Sequence, residues 1–210
     1  MLRKHTIFIG SFLFFVLQSQ VSFAAVGCSL NDPDRDVRRI FPESTSYKTQ
    51  FITIKERGGK KLKAEIEEKL GDKFDSIYES IDVPYAYYTV FKGTKIIGRI
   101  HGVNQKGMYG GMQLILATDL EGKIIRFYYQ RISSPEAKRF KSKSFTNQFK
   151  GLTLADFYHH DATKGRRCPD DKIAKIKDPS KKSSEDFKAT LRGIKKNLIL
   201  LDEFILSNKL

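Results

Sequence analysis

The chain contains no Gly-x-Ser-x-Gly, no P-loop, no paired-carboxylate signature and no Cys-x-x-Cys or His-x-x-x-His spacing. The familiar sequence signatures of nucleophilic, phosphoryl-transfer and zinc chemistry are therefore missing. Only two cysteines occur, Cys28 and Cys168, so one intramolecular disulfide is the most the chain can make. No internal repeat or low-complexity tract is visible, which argues against a solenoid. Acids are scarce relative to bases: 24 Asp and Glu stand against 38 Lys and Arg, a formal charge of +14.

Long apolar runs are also lacking, except near the start. Ile7 to Leu17 follows the basic Arg3-Lys4-His5 and precedes the small-x-small triplet Ser22-Phe23-Ala24. Spanning a bilayer takes about 20 apolar residues, more than this run offers. The pattern is that of a cleaved signal peptide over residues 1–24, which places the protein in the bacterial periplasm or envelope. Two fates stay open for Cys28. Ala25-Val26-Gly27-Cys28 has the shape of a lipoprotein box with Ala where a large aliphatic residue is usual, whereas an oxidising compartment permits a Cys28–Cys168 disulfide. The two exclude each other.

Removing Arg3 and Lys4 lowers the charge from +14 to +12 on the mature chain, which suits an acidic partner such as lipid headgroups or phosphates. Export makes nucleic acid the least suitable partner. The basic pairs Lys60-Lys61, Arg166-Arg167, Lys181-Lys182 and Lys195-Lys196 are dispersed, as on a solvated basic surface.

The spacing predicts a helical N-terminal extension over residues 25–84. Asn31-Asp32-Pro33-Asp34 caps a short amphipathic helix carrying Val37, Ile40 and Phe41, Tyr47 to Ile54 alternates like a strand, and Leu62, Ile66 and Leu70 mark a helix after Gly58-Gly59. From Tyr85 the period becomes two. Tyr85–Phe91 and Ile96–Val103 form one hairpin around Lys92-Gly93-Thr94-Lys95; Met112–Thr118 and Lys123–Tyr129 form another around Asp119-Leu120-Glu121-Gly122. Phe187, Leu191, Ile194, Leu198, Leu201 and Ile205 then stripe one face of a C-terminal helix opened by Ser183-Ser184-Glu185-Asp186. Gly193 inside that helix points to close packing against a neighbour. The expected fold is α+β: an antiparallel sheet packed against a long C-terminal helix, with residues 85–210 as the main domain.

Four segments follow one another in a distinctive order: Gly107-Met108-Tyr109-Gly110-Gly111, Glu121-Gly122-Lys123, Ser133-Ser134-Pro135-Glu136, and Phe145 to Gly151 with Gln148. This order resembles the periplasmic FMN-binding domain of flavin-carrying subunits in Rnf-type and sodium-pumping NADH:quinone complexes. The likeness covers residues 90–200. It implies an exported electron-transfer or flavin-carrying protein rather than a stand-alone enzyme, with an envelope redox partner. The alternative is a flavin-free binding or structural module of the same fold at the membrane surface.

In that family a threonine just before the final helix takes FMN through a phosphoester. Here the corresponding run is Pro179-Ser180-Lys181-Lys182-Ser183-Ser184, and the acceptor position falls on Lys181, so FMN would be held non-covalently. The resemblance assigns the cofactor to Tyr109, Ser133, Ser134, Pro135 and Gln148, and to a phosphate corner of Ser180, Lys181, Ser183 and Ser184 at the helix N-terminus. The Ser-Ser-Pro-Glu loop keeps the proline and a hydroxyl of the family's Glu-Thr-Pro-Gly, but loses its acid and its glycine. Outside this set, His159-His160-Asp161 reads as a polar loop, His101 as a paired, half-buried strand histidine, and the strand aromatics as sheet packing.

Overall fold

The computed structural model describes residues 28–160 and 171–206; the expected signal peptide over residues 1–24, Asp161 and Cys168 lie outside them. Its centre is one five-stranded antiparallel meander, β1 (Ser46–Ile52), β2 (Tyr85–Lys92), β3 (Lys95–Gly107), β4 (Gly110–Thr118) and β5 (Ile124–Ile132), each strand beside its sequence neighbours. Turn chemistry sets the reversals. Gly93, at φ +59°, closes the β2–β3 hairpin with Lys92 opposite Lys95. The Asp119 carboxylate accepts hydrogen bonds from the amides of Glu121 and Lys123 and so shapes the β4–β5 turn. β1 arises within the N-terminal extension and pairs with β2 from Ser46–Phe91 to Ile52–Tyr85, so the extension supplies an edge of the sheet.

Helices cover both faces. α1 (Pro33–Ile40), capped by the Asp32 side chain on the Arg35 amide, buries Val37 and Ile40 with Cys28, Leu30, Phe41, Tyr88, Ile100 and Ile115 on one face. The other face carries the larger core, under α7 (Ser184–Leu201) and its π-helical continuation Asp202–Leu206. The short helix α2 (Ile54–Arg57) leads into α3 (Gly59–Leu70), whose Leu62, Ile66 and Leu70 join this core. After β5 come the single turns α4 (Ala137–Phe140) and α5 (Lys143–Thr146), a 3-10 turn Asn147–Phe149, and α6 (Leu154–His159). No described helix is long and apolar enough to cross a membrane.

α7 lies close to the sheet because Gly193 faces it. A Cβ there would stand 2.1 Å from Leu114 Cδ1 and 3.2 Å from Gln105 Cβ, an approach no larger residue permits. A buried ionic cluster fixes its rotation. The Arg192 guanidinium pairs with both oxygens of Glu79 at 2.7 and 3.1 Å, with Asp72 at 2.6 Å and with Gln105 Oε1 at 2.8 Å. One turn on, the Lys196 ammonium, fully buried, pairs with the same Glu79 carboxylate and donates to the Asn104 carbonyl at 2.7 Å. Burial pushes the Glu79 carboxyl up, yet Arg192 and Lys196 together hold it below the usual range; burial pulls Lys196 down to about 8. Lys196 is therefore structural and not part of a solvated basic surface.

Gly193→Ala should destabilise the fold by about 1–3 kcal/mol through overpacking, although the same change gains about 1 kcal/mol in an exposed helix. Denaturant unfolding checks this; a stabilised variant would show that α7 does not approach the sheet as described.

Candidate functional site

Three of the four segments that carry the resemblance reach the N-terminal end of α7; the Glu121-Gly122-Lys123 turn lies at the opposite end of β4. The β3–β4 turn lies there because Gly107 pairs with Gly110, leaving Met108 and Tyr109 exposed at the tip. Gly110 has φ +129°, and a Cβ on it would stand 3.2 Å from Ser133 Cβ, so this turn and the Ser133 loop require a glycine between them. Ser133 donates its amide to the Gly111 carbonyl at 3.3 Å. The Ser134 hydroxyl accepts from the Glu136 amide at 3.3 Å, and Pro135 is exposed. Gln148 clamps the chain leading to α7, its Oε1 accepting from the Lys177 amide at 2.8 Å and its Nε2 donating to the Lys177 carbonyl at 3.3 Å.

Beneath the corner five rings close a circuit of edge contacts: Phe127, Tyr129, Phe140, Phe145 and Phe149, with centroid separations of 4.9 to 6.1 Å. Phe145 and Phe149, the ends of the Phe-x-x-Gln-Phe pattern, are thus packing residues. The Tyr129 hydroxyl meets the Thr190 hydroxyl on α7 at 2.6 Å, which ties the circuit to the helix.

The anion seat itself is filled from within. The Glu136 carboxylate, carried in by the Ser-Ser-Pro-Glu loop, accepts from the Lys181 amide at 2.9 and 3.1 Å and from the Lys182 amide at 2.9 Å. Arg139 stands 3.5 Å from the same group. The amides of Lys182 and Lys181 hold the Glu136 carboxyl below the usual carboxylate range, with Arg139 adding to them. A second acid completes the corner: Asp186, fully buried in the first turn of α7, accepts from the Met108 amide at 2.7 Å. Its other oxygen has no hydrogen-bond partner.

A phosphate on the Lys181 and Lys182 amides would have to displace the Glu136 carboxylate, and the buried Asp186 carboxylate already places negative charge in the first turn of α7. The hydroxyls are placed otherwise too. Ser180 donates its hydroxyl to Asp178 at 2.7 Å, Ser183 is buried without capping a helix amide, and Ser184 is exposed. Lys181 and Lys182 are exposed and extend from this corner. The groove beside it, about 630 Å³, is lined by Pro135, Glu136, Lys138, Arg139 and Pro179 among others.

The remaining candidates also resolve. Cys28 carries a free thiol, buried on the α1 face, and burial pushes it up to about 12; Cys168 lies outside the described residues. His160 pairs its Nδ1 with Asp171 at 2.8 Å, and no group of three metal-ligating side chains occurs among the described residues. His101 is neither half-buried nor paired: it is 1% exposed, neither ring nitrogen has a partner, and it stacks on Tyr87 with centroids 4.8 Å apart. The alternation of β3 turns it into the core under α7, and burial pulls its pKa to about 3.

No protein-family model matches the chain, and no curated protein matches it either.

The His101 burial has a measurable consequence. Its folded pKa of about 3 lies below the unfolded value of about 6.5, so the unfolded chain binds the extra proton and stability falls as pH drops through this window. Between pH 6.5 and 5, above the range where carboxylates titrate, wild type should lose about 1.5 kcal/mol more than His101→Phe. Urea midpoints at the two pH values check this; equal losses would mean that His101 is protonated in the native state.

Proposed function

We propose that this protein is a cofactor-free binding module that presents a basic surface to an acidic partner in the cell envelope. The observation that carries this reading is the Glu136 carboxylate on the Lys181 and Lys182 amides. A helix N-terminus and the turn leading into it form a general anion site, and here the protein's own carboxylate occupies the two amides just before the N-cap of α7. With Asp186 behind it, the corner carries two carboxylates where a flavin phosphate would bring further negative charge. The basic composition and the signal-like N-terminus support the rest of the reading.

The meeting of the Gly107–Gly111 turn, the Ser133–Glu136 loop and the Phe145 segment at the start of α7 favours a second reading, an envelope electron carrier holding FMN without a covalent bond. One experiment separates them. Under the binding-module reading, equilibrium dialysis at high micromolar FMN leaves none with the purified protein, and its absorption spectrum shows no flavin band. Stoichiometric FMN binding that Lys181→Glu weakens about tenfold or more, as loss of one charge-assisted contact demands, would instead establish the flavin reading.

A further inference from the structure

The sheet ends at β5, and that edge is flanked by cations on both sides. A groove of about 590 Å³ follows five consecutive β5 residues, Ile125 to Tyr129. One wall, on the α1 side, bears Arg39 and Arg126; the other, from α5 and its flanks, bears Lys141, Lys143 and Lys150. Arg39 is held in place. It pairs with the buried Asp36 at 3.0 Å and lies over the Tyr128 ring at 4.7 Å, while Arg126 donates to the Arg39 carbonyl at 3.4 Å. The three lysines have no carboxylate within 4 Å among the described residues, in contrast to Lys55 on Asp82, Lys92 on Glu43 and Lys106 on Asp75. The opposite edge, β1, carries one cation, Lys48, in its whole length.

The edge also has open backbone. Gly151 and Leu152 take a sixth-strand position for a single step, with Ile124 donating to the Leu152 carbonyl at 2.9 Å and accepting from the Gly151 amide at 2.8 Å. Beyond that step, no backbone group of residues 125–129 has a hydrogen bond outside the β4–β5 pair among the described residues. Five strand residues span about 16 Å, enough to register a short extended segment.

We propose that an acidic peptide segment of a partner protein adds to the β5 edge as a sixth, continuing strand. This names the partner class of the binding-module reading and rests on it. Main-chain hydrogen bonds to the open edge supply affinity, and alternate side chains of the added strand face the two walls. Because cations stand on both sides, acids at odd and even positions each meet a positive group, whereas a compact phosphate would engage one wall only. The charge also speeds encounter and rejects basic segments.

The test uses a fluorescein-labelled, end-capped eight-residue peptide alternating Glu and Val, read by anisotropy, with a Lys–Val version as control. The proposal expects the acidic peptide to bind, the basic one not to, and the amides of Phe127 and Tyr129, which point away from β4, to gain protection from hydrogen exchange. Triple charge reversal at Lys141, Lys143 and Lys150, all exposed, should weaken binding at least about tenfold while thermal unfolding stays unchanged. N-methylation of alternate peptide amides, which keeps the charge but removes strand pairing, should do the same. Absence of binding at millimolar peptide would mean that the cations only guard the edge against self-association, and binding that survives N-methylation would remove strand addition. Capture by phosphatidylglycerol vesicles through the same lysines, with no peptide binding, would replace the peptide by a membrane surface. FMN binding at the α7 corner would sink the module reading on its own, whatever the peptide does.

Discussion

The Arg192–Glu79–Lys196 cluster is the contact on which the rest of the arrangement depends. One carboxylate, 1% exposed, receives a guanidinium and an ammonium from successive turns of α7 and so links the helix to the 71–84 segment and to β3. Breaking such a buried group by removing one partner leaves an uncompensated charge, at a cost of about 3–5 kcal/mol. Specificity is the larger consequence. The helix cannot rotate without unpairing these charges, and it cannot shift outward without losing the contact at Gly193. Its first turn is thereby fixed beside the β3–β4 turn and the Ser-Ser-Pro-Glu loop.

Once α7 is fixed, its N-terminus must find negative charge, because its first amides have no partner within the helix. Glu136 and Asp186 provide it from two different connections, one reaching the amides before the helix and one joining the helix to the Met108 amide. The amides leading into the helix are thus filled internally, while a separate row of lysines without carboxylate partners among the described residues runs along the β5 edge. At the corner the acids Glu136 and Asp186 are each engaged by backbone amides, whereas the lysines along the β5 edge face solvent without a carboxylate partner among the described residues.

Much of the fold was legible because its determinants are local. Gly93, Asp119 and Gly122 set their turns from within a few residues, and the Phe187 to Ile205 stripe carries its period in the sequence. The helix at Gly59–Leu70 follows from Leu62, Ile66 and Leu70 for the same reason. The site was harder to read. Glu136 looked like the loss of a family glycine, and nothing near it announces a partner 45 residues away. Lys196 sits beside Lys195 in a run that reads as solvated surface, and only the arrival of Glu79, 117 residues distant, makes its burial tolerable. His101 has strand-like neighbours, but the sequence does not say which face of β3 the helix will cover. Cations around Lys141 to Lys150 were visible as residues; their alignment along a sheet edge needed the strand order.

The most direct test of the filled anion seat is a carbon-detected NMR pH titration of the Glu136 side-chain carboxyl, read together with the backbone amides of Lys181 and Lys182. The account predicts a Glu136 midpoint below the ordinary glutamate value of about 4.3, with both amides shifting at that same midpoint as the carboxylate is protonated. A Glu136 that titrates at the ordinary value, with amides indifferent to it, would contradict the account and return the N-terminus of α7 to the list of open anion sites.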